Sequence, residues 1–185
     1  MRFLAIQSLN RDEILRLLAA ARAHSEFHFL MILVAFAHGL RASEVVNLKV
    51  DDVRDGVLTV QRLKGSKKTV HPLLENPDPL LNEKPALLQF IRNQSGNQRI
   101  FPRTRSTFWR VMQRHAKTAG LAPHQRHPHC LKHAICKQLI GLIGIEQLQQ
   151  YVGHQNLSST ACYLKETDQE ASAAAARALR APVTD

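Results

Sequence analysis

Cysteine is scarce in this chain. Cys130, Cys136 and Cys162 are the three present, an odd number that cannot all pair. A disulfide framework is therefore not what holds the fold, and a reducing compartment is the expected setting. Glycine and proline, at eight each in 185 residues, are too few for a collagen-like or linker-like chain. Long apolar runs are missing as well. The first ten residues lack the apolar stretch of a signal peptide. The longest run, Phe29 to Ala37, is too short to span a bilayer and is flanked by His28 and His38, so it reads as a buried helix. Acidic residues also fall short, with 15 Asp and Glu against 25 Lys and Arg. The formal charge of +10, with ten histidines besides, points to a polyanionic partner. An apolar content of 44% is enough to bury a real core, which excludes a disordered tail.

The pattern of what is present is mostly helical. Asn10 with Glu13 makes a capping box, and Ile14, Leu17, Leu18 and Ala21 follow at helical spacing. A more fully apolar helix is expected over 26–38, stopped by Gly39. Residues 40–48 form a short helical turn that carries Arg41 and Glu44. The texture then changes. Asp55-Gly56 signals a turn before the β-rich Val57–Val60, and a second turn at 64–67 precedes Thr69–His71. Residues 76–85, with three prolines, read as a loop before a helix over 86–92. Further helices are expected over 106–119, 129–140 and 145–152, then a short one holding Tyr163 and an Ala-rich one near 166–180. The 106–119 segment is the basic one. Arg103, Arg105, Arg110, Arg114 and Lys117 along it are candidates for phosphate contacts. No internal repeat and no clean domain boundary is visible, so 1–185 is read as a single domain.

Six residues in sequence order carry the chemical signal. Arg41 lies in GLRASE (39–44) and Lys64 opens KGSKKTVHPL (64–73). His129 and Lys132 lie in HCLKH (129–133), and His154 ends VGH. Tyr163 follows nine residues beyond His154. Each alone reads as an ordinary surface or packed residue. Together and in this order they resemble the catalytic domain of the tyrosine recombinases, the phage integrase family, and most closely the short invertases of the type 1 fimbriae switch. The likeness runs from about Leu9 to Leu164.

The resemblance implies an α+β fold, mainly α, with a small three-stranded antiparallel sheet and no separate N-terminal core-binding domain. It implies DNA strand cleavage and religation, as inversion, integration or excision, with Tyr163 as nucleophile and a 3′-phosphotyrosine intermediate. Cations must stand ready where charge builds on the phosphate oxygens. By the resemblance Arg41 supplies a planar fork, Lys64 protonates the leaving 5′-oxygen, His129 assists at the tyrosine and His154 bonds a phosphate oxygen. Glu44 buttresses the first box. No cofactor and no metal is expected. The expected partners are double-stranded DNA and three further copies of the chain in a tetramer on it, with the 166–180 helix docking between protomers, and no membrane. The expected location is the bacterial cytoplasm, at the nucleoid.

One position departs from the family pattern. Lys132 stands where the family has a second arginine, which keeps the charge and loses the bidentate geometry. A DNA-binding regulator on the same domain is therefore the alternative reading, and a relaxing enzyme of type IB topoisomerase chemistry a third. His124, His127, His129, Cys130 and His133 also lie close together in sequence, as zinc ligands do, but neither Cys-x-x-Cys nor His-Glu-x-x-His is present.

Overall fold

The computed structural model describes residues 8–62, 67–94, 96–154 and 158–161. Helix α1 (Arg11–His24) starts at the expected capping box, with the Asn10 side chain accepting from the Glu13 amide and the Glu13 carboxylate accepting from the Asn10 amide. Its predicted stripe, Ile14, Leu17, Leu18 and Ala21, is buried. Helix α2 (Glu26–Ala37) is buried continuously from Phe29 to Ala37. A helix that is apolar all round belongs at the centre of a domain, and α2 packs against α1, α4 and α6.

Gly39, at φ +57°, ends α2 by letting Leu40 N donate to Ala35 O and Gly39 N to Phe36 O. This paired closure is the Schellman arrangement, which turns the chain sharply away from the helix axis. Helix α3 (Ala42–Val45) begins two residues later, with Arg41 at its N-cap. The sheet follows as expected, antiparallel in the order β1-β2-β3 over β1 (Val53–Arg54), β2 (Val57–Val60) and β3 (Thr69–Pro72). Asp55 and Gly56 both have positive φ, as the two-residue hairpin between β1 and β2 requires. Leu58, Val60, Thr69 and His71 face inward.

Helix α4 (Glu83–Ile91) starts three residues before the predicted boundary. Pro85 lies in its first turn, where its missing amide hydrogen costs nothing, so the proline does not mark the end of the loop. Helix α5 (Arg105–Thr118) is capped by the Thr104 hydroxyl and buries Phe108, Val111, Met112, His115 and Ala116. The segments predicted as two helices are joined in α6 (His129–Val152), which is broken at Gly144 (φ 76°, ψ 170°). A glycine at 153 closes α6 as Gly39 closes α2, with His154 N donating to Gln149 O and Gly153 N to Gln150 O. Among the described residues a short helix α7 (Ser158–Ala161) comes last.

Candidate active site

Both helix closures deliver a functional side chain. After Gly39 comes Arg41, whose guanidinium donates to Glu44 Oε1 at 2.8 Å while its amide donates to Glu44 Oε2 at 2.8 Å. The Glu44 carboxylate is buried and the Arg41 side chain remains 23% exposed. Glu44 thus holds Arg41 from behind and leaves the outer part of the guanidinium facing solvent.

Arg62 is the residue that the sequence did not disclose. Two positions before the turn lysine, it reads as a solvated cation, yet its side chain is fully buried. Its five N–H donors meet five acceptors: Thr69 Oγ1, Gly39 O, Glu44 Oε2, His38 O and Tyr151 O, at 2.9–3.3 Å. One guanidinium therefore ties the end of α2, the first box, β3 and α6 together. Beside it, His38 Nε2 donates to the buried Glu83 carboxylate at 2.8 Å, and His38 Nδ1 lies 3.2 Å from His71 Nδ1. The His71 ring lies tilted against that of Tyr151, with centroids 4.2 Å apart. Burial, with the neighbouring His38 and Arg62 charges, lowers the His71 pKa to about 3. No sequence pattern marks these histidines, because only burial separates them from surface ones.

Lys132 sits on the first turns of α6, 4% exposed, and among the described residues its ammonium has no hydrogen-bond partner. Burial and the positive charges of Arg41 and Arg62 lower its pKa to about 8, partly offset by Glu44. His154 is half-buried, and its Nδ1 lies 3.0 Å from the Oγ1 of the buried Thr160. Burial, then Lys132, Arg41 and Arg62, push its pKa down to about 4, so it is neutral at pH 7. The fold brings Arg41, Lys132 and His154 within electrostatic reach of one another from α3, α6 and the turn after α6. Lys64 and Tyr163 lie outside the described residues, as do Cys162 and the 166–180 segment.

His129 is exposed and stacks on His133, with ring centroids 6.0 Å apart. It lines an open cleft of about 1060 Å³ together with Arg41, Arg105, Trp109, Arg110 and His127. Two of the five predicted basic contacts, Arg105 and Arg110, therefore face the cleft. Arg103 and Arg114 turn the other way. The Arg103 guanidinium covers the Phe27 ring at 4.9 Å, and Arg114 donates to His24 Nε2 at 3.1 Å. Lys117 is exposed one turn farther along α5.

Among the described residues no three His, Cys, Asp or Glu side chains are placed to hold a metal ion. Cys130 donates its thiol hydrogen to Gln125 O and His127 O, and burial raises its pKa to about 12, far from the thiolate a metal needs. Cys136 is likewise buried. No described helix is long and apolar enough to cross a membrane.

The model of the phage integrase family matches residues 7–170. This chain belongs to the phage integrase family. Among curated members of the family, it is 29% identical to the tyrosine recombinase XerA of Pyrococcus furiosus, over 93% of this chain and 62% of that protein. It is 29% identical to the type 1 fimbriae regulatory protein FimB of Escherichia coli, over 84% of this chain and 82% of that one. The fold matches a XerH site-specific recombinase bound to its difH substrate, with a TM-score of 0.75 at 19% identity, covering 92% of this chain and 54% of that one. The chain thus spans about three fifths of the archaeal XerA relatives, 62% and 58% of two of them.

Proposed function

We propose that this family member is the catalytic domain of a site-specific recombinase that breaks and rejoins duplex DNA through a 3′-phosphotyrosine. The observation that carries the reading is the electrostatic meeting of Arg41, Lys132 and His154, three groups far apart in sequence, with Arg41 itself lining a cleft whose described charged lining is basic. In this reading the Tyr163 oxygen attacks the scissile phosphorus and the bond to the 5′-oxygen breaks. Lys64 delivers the proton that the leaving 5′-oxygen takes up, and His129 helps remove the proton from the tyrosine. Arg41, Lys132 and His154 hold the non-bridging oxygens as charge grows on them. A second 5′-hydroxyl reverses the step on a new strand, so no bond energy is lost and no cofactor is needed.

Duplex DNA as substrate is supported by the +10 charge, by Arg105 and Arg110 beside Arg41, and by the DNA-bound XerH relative. Exchange between two duplexes, each cut at two positions, asks for four protomers, so the working form is a tetramer on DNA. Its place is then the cytoplasm, at the nucleoid.

The test is a suicide duplex, nicked near the cleavage position and built from the repeats that flank the chain's own locus. The parent is expected to form a covalent protein–DNA adduct, and Tyr163→Phe to form none while binding DNA as before. An adduct from the Phe variant overturns the assignment. Lys132, a lone buried ammonium in place of a fork, keeps a second reading in play. A parent that binds but forms no adduct, with Lys132→Arg restoring one, marks a DNA-binding regulator instead.

A further inference from the structure

Trp109 is the only tryptophan of the chain, and it is 49% exposed. Its neighbour Phe108 is fully buried, so α5 has an apolar face and Trp109 is not on it. The indole instead lines the cleft that holds Arg41, Arg105, Arg110 and His129. It lies four residues beyond Arg105 and next to Arg110, so the ring stands on a basic strip of the first two turns of α5. The described lining of the cleft contains no carboxylate. A half-exposed indole beside these cations offers apolar surface that a partner can cover, since aromatic side chains bury 150–250 Å² in typical cores and interfaces. The charge around it selects a polyanion as the covering partner.

We infer that Trp109 is a base-reading contact, which recognises the 5-methyl group of a thymine in the major groove beside the cleaved phosphate. The inference rests on the reading of the cleft as a DNA site. The major groove, about 12 Å wide, admits an α-helix, and residues near the N-terminus of such a helix reach base edges. Arg105 and Arg110 hold the backbone or a guanine on either side. Between them an indole offers apolar surface and one N–H donor. The thymine methyl is the one apolar group that base pairs show in that groove, with the O4 acceptor next to it. Trp109 thereby separates T·A from C·G at one position, where the arginines alone supply charge.

The experiment uses the full chain and a duplex selected from a library with a randomised 20-bp window. Because Trp109 is the only tryptophan, fluorescence emission near 350 nm reports on that ring alone. On binding the selected duplex, the parent emission is expected to fall and shift to shorter wavelength. Trp109→Ala is expected to lose about tenfold in affinity for that duplex and less than about twofold for a duplex of unrelated sequence. Deoxyuridine in place of one thymine removes only the methyl group. It is expected to cost the parent a similar factor and to leave the Ala variant unchanged. Unchanged parent emission on a bound duplex, or indifference to deoxyuridine at every position, overturns the inference and leaves the DNA reading intact. An emission shift that follows protein concentration without DNA also overturns it, because a second copy then covers the ring. Failure to bind any duplex overturns the DNA reading itself.

Discussion

Lys132 is the residue whose environment conflicts most with its charge. Its ammonium is buried without a hydrogen-bond partner among the described residues, beside Arg41 and Arg62, and its pKa falls to about 8 from 10.5. The unfolded chain holds that proton more tightly than the folded one does. The stability Lys132 costs is therefore fully felt below pH 8, and it is recovered as pH rises from 8 toward 10.5. At pH 7 the cost is on the order of 3 kcal/mol. Lys132→Met, which keeps the length and removes the charge, is expected to raise the unfolding free energy by about 1–3 kcal/mol and to abolish the covalent adduct. Denaturant melts and adduct gels on the same preparation check both halves. In the parent, cleavage at low DNA concentration is expected to decline above pH 8 as the ammonium deprotonates. Lys132→Arg is expected to hold its rate through that range, since a guanidinium stays charged. A Met variant that melts earlier and still cleaves would remove Lys132 from the chemistry.

At the scale of elements, two helix ends carry the proposed site. Gly39 and Gly153 each close a helix in the same way and release the chain toward Arg41 and His154. Gly153 has the tighter surroundings. A Cβ there would lie 2.9 Å from the Lys67 carbonyl oxygen and 3.0 Å from Arg62 Cγ, at φ +68°. Gly153→Ala is expected to cost about 2 kcal/mol and to slow cleavage strongly, because the end of α6 must lift off β3 and take His154 with it. Gly141→Ala is the control. It lies in the same helix with nothing within 4 Å of the added carbon, and is expected to stabilise by about 0.5–1 kcal/mol with cleavage unchanged. Equal effects at the two glycines would sink the argument. The capping box of α1, the Asp55-Gly56 hairpin and the Gly39 stop were all legible beforehand, since each depends on residues within five positions of one another. The start of α4 was not, because Pro85 ends a helix or begins one according to which amides need partners.

For the whole molecule the deciding quantity is charge. Twenty-five basic side chains against 15 acidic ones leave a surface whose affinity for the proposed DNA partner is expected to depend on releasing counterions. Log affinity is expected to fall linearly with log salt, by about 0.9 for each phosphate contact. Arg105→Ala and Arg110→Ala, in the cleft, are each expected to flatten the slope by about one contact. Arg114→Ala, which faces His24, is expected to leave it unchanged. Titrations at several salt concentrations measure this directly, and equal slopes for all three variants would show that the cleft does not hold the backbone.

Local order in the chain was enough to establish the helical texture, the hairpin, the central apolar helix and the order of boxes that marks the family, because propensity, capping and turn chemistry act over a few residues. Which polar groups are buried depended on contacts between distant segments. Arg62 becomes a structural hub only when Gly39, Glu44, Thr69 and Tyr151 close around it, and Lys132 is buried beside Arg41 and Arg62 only once α6 has packed into the fold. In sequence Arg103, Arg105, Arg110 and Arg114 are equivalent basic residues. Packing alone turns two of them into the cleft and two toward α1 and α2, because a helix has one buried face and the fold decides what lies on either side of it.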